Sequence, residues 1–334
     1  MAKNPNNSGN FSRKDFLKIS GIGIGSFLLP NSLSANTGSF DKSKGIKFGV
    51  ISDLHFDLMH DGADRAQKFV ESMISERPDF IIQLGDFCVP KPQNKKLMDI
   101  WNQFPGDKYH VLGNHDTDSG FTKDQALNFW NSPSPYYSFD KDGFHFVVLD
   151  GNEKVENSKV KGYPREIGNV QLDWLKEDLS KTKLRTIIFC HQAFDNTNNG
   201  IENGMKVRYL FEQINKEAGF KKVILILSGH HHSNYHNEIN GIHYVQINSS
   251  SYYWVNESYN STAFNEEFYK QYPILKYTIV YKEPIWALVN IDHKNSITIK
   301  GKESKFAGDN QSVPEGLEDI YPVSAKIDSR KLKY

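Results

Sequence analysis

Five short polar clusters, each at the end of an apolar run, constrain this chain more than its composition does. Asp53-Leu54-His55 closes the run Ile46 to Ile51, and Gly85-Asp86 closes Phe80 to Leu84. Gly113-Asn114-His115-Asp116 follows Tyr109 to Leu112, His191 follows Thr186 to Cys190, and Gly229-His230-His231-His232 follows Val223 to Leu227. Apolar runs of this length, bounded by glycine and polar residues, read as strands, so each cluster sits where a strand hands over to a loop. Carboxylates, a carboxamide and imidazoles gathered from five strand ends suit a pair of divalent cations. A fold that serves such a series must bring several strand ends to one rim.

The segments between the runs say how. Ala63 to Glu76 carries Ala66, Phe69, Val70, Met73 and Ile74 on one helical stripe and stops before Pro78. Flanked by Ile46 to Ile51 and Phe80 to Leu84, it makes a strand-helix-strand unit, whose crossover implies parallel pairing under covering helices. Leu97 to Phe104, Phe121 to Trp130, Gln171 to Leu179 and Gly204 to Ala218 read as further helices. Tyr136 to Phe139 with Phe144 to Leu149, and Tyr235 to Ile239 with Ile242 to Ile247, read as hairpins turning on Asp140-Lys141-Asp142-Gly143 and Asn240-Gly241. Ile285 to Ile291 and Ser296 to Gly301 add a last pair of strands. Parallel units followed by hairpins predict an α/β fold, a four-layer αββα sandwich of two mixed β-sheets flanked by helices; on pattern alone, one doubly wound sheet is the alternative.

With 334 residues, 38% of them hydrophobic, the chain can build one large core. The expected organisation is an export signal over residues 1–35, a polar linker over 36–44 and a single domain over 45–334. Lys3, Arg13, Lys14 and Lys18 precede a Gly-rich apolar run from Ile19 to Leu29, then Pro30 and small residues up to Ala35, the layout of a secretory signal. That run is too short to span a bilayer, which takes roughly twenty residues, so no transmembrane segment is expected in the mature chain. Ser12-Arg13-Lys14-Asp15-Phe16-Leu17-Lys18 resembles a bacterial twin-arginine export signal with Lys14 where the second arginine is expected, and the resemblance implies a periplasmic protein. Forty basic residues balance forty acidic ones, which gives no footprint for duplex nucleic acid and favours a small substrate. The two cysteines, Cys88 and Cys190, form no disulfide framework and read as buried small hydrophobes; sequence does not say whether they pair.

Taken in order and spacing, Asp53-Leu54-His55, Gly85-Asp86, Gly113-Asn114-His115-Asp116, His191 and Gly229-His230-His231-His232 resemble the calcineurin-like metallophosphoesterase superfamily over about Lys47 to Ser251. The resemblance implies an αββα sandwich and two metal sites. Asp53, His55, Asp86 and His232 would hold the first ion; Asp86, Asn114, His191 and His230 would hold the second, with Asp86 bridging. Two divalent cations against two carboxylates leave an excess of about two positive charges, which suits a hydroxide and a phosphate ester. Val89 stands where related purple acid phosphatases place a tyrosine, which argues against an Fe(III)–tyrosinate pair and leaves Mn, Zn, Fe(II) or Mg.

The resemblance further implies hydrolysis of a small-molecule phosphate ester, monoester or diester. Hydroxide held at the metals would attack phosphorus, with His115 as general acid and Asp116 orienting it. Two other classes stay open at this point: a dinuclear hydrolase of a non-phosphate ester or amide, and a non-catalytic exported metal-binding protein. His231 is expected to point away from the metals. His60, His110, His145, His236, His243 and His293 are read as surface or core residues. Specificity is expected in the loops Asp57 to Asp61, Pro90 to Asn94, Glu153 to Arg165 and Asp195 to Asn203, and in Ser249 to Trp254.

Overall fold

The computed structural model describes residues 45–308, 313, 317 and 321–334. The expected export signal and linker lie outside the described residues. In chain order the elements are β1 (Ile46–Ile51), α1 (Gly62–Glu76), β2 (Phe80–Gln83), α2 (Lys95–Trp101), β3 (Asp107–His110), α3 (Lys123–Trp130), β4 (Tyr137–Lys141) and β5 (Phe144–Leu149). They continue with α4 (Asn169–Lys181), β6 (Arg185–Cys190), α5 (Gly204–Ala218), β7 (Val223–Ser228), β8 (Tyr235–Ile239) and β9 (Ile242–Gln246). The last are β10 (Tyr252–Trp254), α6 (Glu266–Gln271), β11 (Thr278–Val280), β12 (Ala287–Ile291), β13 (Ser296–Gly301) and β14 (Arg330–Lys333).

Two six-stranded mixed sheets result. The first runs β14-β13-β12-β1-β2-β3, with β1, β2 and β3 parallel and the C-terminal strands antiparallel. The second runs β4-β5-β6-β7-β9-β8, parallel from β5 to β9 and closed at each edge by an antiparallel strand. Alternation along the strands sorts the apolar residues into layers. Phe48 of β1 stacks on Phe80 of β2 at 4.8 Å and meets the edges of Phe146 and Phe189, from the facing sheet, at 5.9 and 5.8 Å. Behind the first sheet, Phe69, Val70 and Met73 of α1 pack with Trp101 of α2; behind the second, Leu175 and Leu179 of α4 pack with Phe211 of α5. The four-layer sandwich expected from the pattern is therefore the fold.

Three things were not legible. The C-terminal hairpin of β12 and β13 joins the first sheet beside β1, a placement that periodicity cannot give. The edge strand β14, Arg-Lys-Leu-Lys, carries charges that suit an exposed edge and conceal a strand. Between β9 and β12 lies an insert, the two-stranded sheet β10-β11 with α6, packed around Tyr252, Tyr269, Leu275 and Val280. Arg65 ties this insert to α1: buried, it bonds Asp61 at 2.6 Å and donates to the carbonyls of Ser250 and Tyr281 at 3.1 and 2.5 Å. Cys88 and Cys190 are both buried and free.

His145 of β5 clamps the β4–β5 hairpin to α4, its Nδ1 2.6 Å from Asp140 and its Nε2 2.8 Å from Asp178. Burial alone would lower its pKa, but Asp178 and Asp140 raise it above the ordinary value. The stabilisation is therefore complete below the unfolded-state pKa of about 6.5 and is lost as pH rises through the higher folded value. His145→Gln should be less stable than the parent at pH 6, by on the order of 1 kcal/mol in urea unfolding, with the difference shrinking as pH is raised above neutrality.

Candidate metal centre

The C-terminal ends of β1, β2, β6 and β7 converge on two adjacent clusters, Asp53, His55 and His232, and Asp86, His191 and His230. All but His230 are buried. His191 gives its Nδ1 hydrogen to the Leu84 carbonyl at 2.7 Å, and His232 gives its own to the Tyr252 carbonyl at 2.7 Å. Each ring then presents its Nε2 to the centre, where it can hold a proton or an ion. Nε2 of His191 lies 3.1 Å from Asp86 Oδ2, yet makes no hydrogen bond. Nε2 of His232 lies 3.2 Å from Asp53 Oδ1 and 3.3 Å from Nε2 of His55. Donor atoms facing one another at such distances need a positive charge between them, whether a proton or a metal cation. Asn114 adds a buried Oδ1 with no hydrogen-bond partner, also part of the expected ligand set.

The electrostatics agree. Burial alone would raise the Asp86 carboxyl, but His191 and His115 hold it well below the usual carboxylate range. Burial would lower His191, but Asp86 and Asp53 raise it to about 9, so these carboxylates hold a positive charge between them. Burial keeps His55 at about 3 and His230 well below the ordinary histidine value, both as neutral donors. Asp86 Oδ2 lies 3.8 Å from Nε2 of His55 as well as close to His191, between the two clusters. Two adjacent His/Asp clusters of this kind fit a dinuclear metal centre.

The backbone is bent to make it. Asp53, His55, Asp86, His230 and His232 have φ of 50, 46, 52, 74 and 47°, in the left-handed region. Non-glycine residues held there cost of order 1–3 kcal/mol each and persist where surrounding structure, or a bound ion, fixes them. Two neighbouring glycines work differently, by leaving room. A Cβ at Gly113 would lie 2.2 Å from both N and Oδ1 of Asp86, and one at Gly229 would lie 1.9 Å from Ser52 Oγ.

His115 stands at the rim. Its partner is Asp118 rather than the expected Asp116: His115 Nδ1 lies 2.7 Å from Asp118 Oδ2. Asp116 is fully buried and turned the other way, accepting from the backbone N–H groups of Asp86, Phe87, Cys88 and Gly113 at 2.7–3.0 Å. It therefore shapes the loop that carries Asp86 and does not orient His115. Asp118, three residues after His115, is reached because the chain makes one short helical turn from His115 before it kinks at Asp118 and Ser119. Tyr163, from the polar loop after β5, donates to Asp118 Oδ1 at 2.8 Å, and no feature of that loop announced it.

Residues 46–234, more than half of the chain, match the model of the calcineurin-like phosphoesterase family. The chain belongs to that family. The manganese-dependent ADP-ribose/CDP-alcohol diphosphatase of Arabidopsis thaliana is 24% identical over 280 residues, which cover 64% of this chain and 88% of that protein. Among solved structures, a dimetal phosphatase from Danio rerio superimposes with a TM-score of 0.56 at 16% identity, covering 79% of this chain and 98% of its own. GAP50, the anchor in the inner membrane complex of Plasmodium, gives 0.51 at 17% identity, with 87% and 89% covered. At these identities the two structures speak for a shared fold.

As in an enzyme of this family, the centre opens to solvent, here through a cavity of about 620 Å³. Leu58, Tyr163, Asn198 and Trp254 line it, from four of the loops expected to set specificity; Pro90 to Asn94 contribute nothing to it. His231, expected to point away from the metals, belongs to neither cluster and turns its Nε2 to the Asn198 carbonyl at 2.9 Å, and it lines the cavity. Tyr252, within the Ser249 to Trp254 segment, has a role the sequence did not show: its ring stacks on His55 at 5.1 Å while its carbonyl fixes His232. Asp86→Ala should lower metal binding at both positions, whereas Asp53→Ala should mainly empty one. Metal analysis after chelation and reloading reads this, and two tight equivalents retained by Asp86→Ala would refute the bridging role.

Proposed function

We propose that this phosphoesterase hydrolyses a phosphodiester or diphosphate bond in a small molecule, one that carries a substituent on each side of the scissile phosphorus. The observation that carries the reading is the cavity: 620 Å³ is far more than one phosphoryl group needs, and the rings of Tyr163 and Trp254 line it together with His55, Asp86, His230 and His232 of the ligand clusters. The Arabidopsis relative, named for ADP-ribose and CDP-alcohols, supports a substrate of this kind, and its manganese dependence supports Mn as the metal. Oxygen and imidazole donors suit that choice.

The expected ligand set is retained: Asp53, His55, Asp86 and His232 for one ion, and Asp86, Asn114, His191 and His230 for the other. When bound, the two cations would polarise the phosphoryl oxygens and lower the pKa of water. The chain's own residues supply the rest. Burial would lower the His115 pKa, but Asp86 and Asp118 raise it to about 9. Cations beside Asp86 offset that carboxylate, which leaves Asp118 to keep the proton on the ring. With Nδ1 engaged by Asp118, Nε2 is the atom free to give a proton to a departing oxygen. Asp118 is thus the positioning partner in this reading, and the buried Asp116 holds the backbone of the Asp86 loop.

A general acid matters most when the leaving oxygen is a poor one. His115→Asn should keep both metals and lose on the order of 10²–10⁴-fold in turnover on alkyl esters, with a much smaller loss on nitrophenyl esters. Equal losses on both would make His115 a phosphoryl-binding residue instead. A panel of monoesters, cyclic and linear diesters, nucleoside diphosphate conjugates and carboxyl esters, run on Mn-loaded protein, tests the reaction class. Turnover confined to monoesters or carboxyl esters would overturn the proposal.

A further inference from the structure

The cavity wall combines two features with opposite consequences for a substrate. Among the described residues that line it there is no Lys and no Arg, while Asp86 and Asp118 are both present. Leu317 also lines it and adds no charge. A phosphate held against Trp254, away from the metal centre and His115, would meet no Lys or Arg among the described lining residues, and its desolvation would go uncompensated. The same wall carries an aromatic surface. Trp254 is 40% exposed at the end of β10, and Val255, Ile274 and Leu317 extend an apolar face beside it.

The position of Trp254 is set by the strand. Tyr252 and Trp254 are two residues apart and so share a face of β10. Tyr252 places its ring against His55, so Trp254 comes about 7 Å farther along the same face. That is the offset of a flat ring joined to phosphorus through a sugar-sized spacer. The platform is rigid: Trp254 pairs with Thr278 of β11, Val255 N donates to the Tyr277 carbonyl at 3.1 Å, and the Tyr277 ring backs Trp254 at 6.3 Å. Across the cavity, Asn196, Asn198, Asn199 and Ser233 offer polar groups that can meet a ring's edge.

We infer that Trp254 is a specificity-determining residue that stacks a neutral nucleobase, and that the cavity admits substrates whose anionic groups all lie at the metal centre and rejects those with a remote phosphate. The inference deepens the diester reading above and rests on it. Aromatic stacking is tolerant of which base is presented, so the platform selects for the presence of a ring rather than for one base.

The test compares a cytidine diphosphate ethyl ester with the same diphosphate ester of ribose lacking the base, using Mn-loaded protein. Trp254→Ala should lose about tenfold or more in kcat/KM on the base-bearing compound, carried by KM, and should be unchanged on the baseless one. Trp254→Phe should restore most of the loss. A 3′-phosphate added to the cytidine compound should lower kcat/KM of the parent protein at least about tenfold. Equal losses on both compounds, no loss on either, or indifference to the 3′-phosphate would overturn the inference. If the parent protein turns over neither compound, the diester reading fails, and the ring site is then read from calorimetric binding of cytidine 5′-monophosphate. Binding weakened about tenfold in Trp254→Ala supports the site, and unchanged binding refutes it.

Discussion

Buried carboxylates facing imidazole nitrogens across gaps of 3.1 and 3.2 Å are the constraint on which the rest of this structure depends. Without a positive charge between the facing atoms such an arrangement is repulsive, and desolvation makes it worse. Cations turn it into an attraction, because every donor atom then points at a positive charge. The left-handed backbone at Asp53, His55, Asp86, His230 and His232 belongs to the same balance. These conformations aim the side chains at the centre, and the strain they store is offset when ions bind, so that metal binding and the local fold reinforce each other.

The sandwich is the means of delivering these residues from two directions. Asp53 and His55 follow β1, Asp86 follows β2 and Asn114 follows β3, all in the first sheet; His191 follows β6 and His230 and His232 follow β7, in the second. The centre therefore lies at the seam of two sheets, and the spacing between sheets sets the spacing between ligands. That spacing is fixed by rings: Phe48 and Phe80 on one side meet Phe146 and Phe189 on the other. Hydrogen bonds from the backbone lock the register at the rim, with Asp53 N donating to the Gly85 carbonyl at 3.1 Å and His55 N to the Asp86 carbonyl at 2.9 Å. A core substitution that moved one sheet by half an ångström would be felt first at the donor atoms.

Much of this was legible because the chemistry demands particular residue types at strand ends. Few other side chains can replace Asp86 or His191 in such a role, and their position after apolar runs is a local property of the chain. Most strands and helices followed from periodicity for the same reason, though not the placement of β12 and β13 beside β1. Asp116 shows where this stops: its place beside His115 suggested a partner, but the short helical turn carries Asp118 round to the imidazole and sends Asp116 down to four backbone amides. Adjacency in sequence says little about facing in a helical turn, where residues three apart are neighbours. The insert between β9 and β12 was illegible for another reason. Its strands have three residues each, too few to show alternation, and its core is built from tyrosines that a polar loop also contains.

The same contrast separates reaction from specificity. The ligand positions accept few side chains, since an ion requires charge and lone pairs at fixed distances, and this makes the reaction class readable. The wall above them needs only area, rigidity and an appropriate absence of charge, requirements that many sequences satisfy. Trp254 is informative not as part of a motif but because the strand carrying it also carries Tyr252, whose ring and carbonyl touch His55 and His232. One short strand thus couples the metal centre to the substrate wall. Shifting β10 by a residue would turn Trp254 out of the cavity and withdraw the carbonyl that fixes His232, because side chains alternate along a strand and the carbonyls move with them.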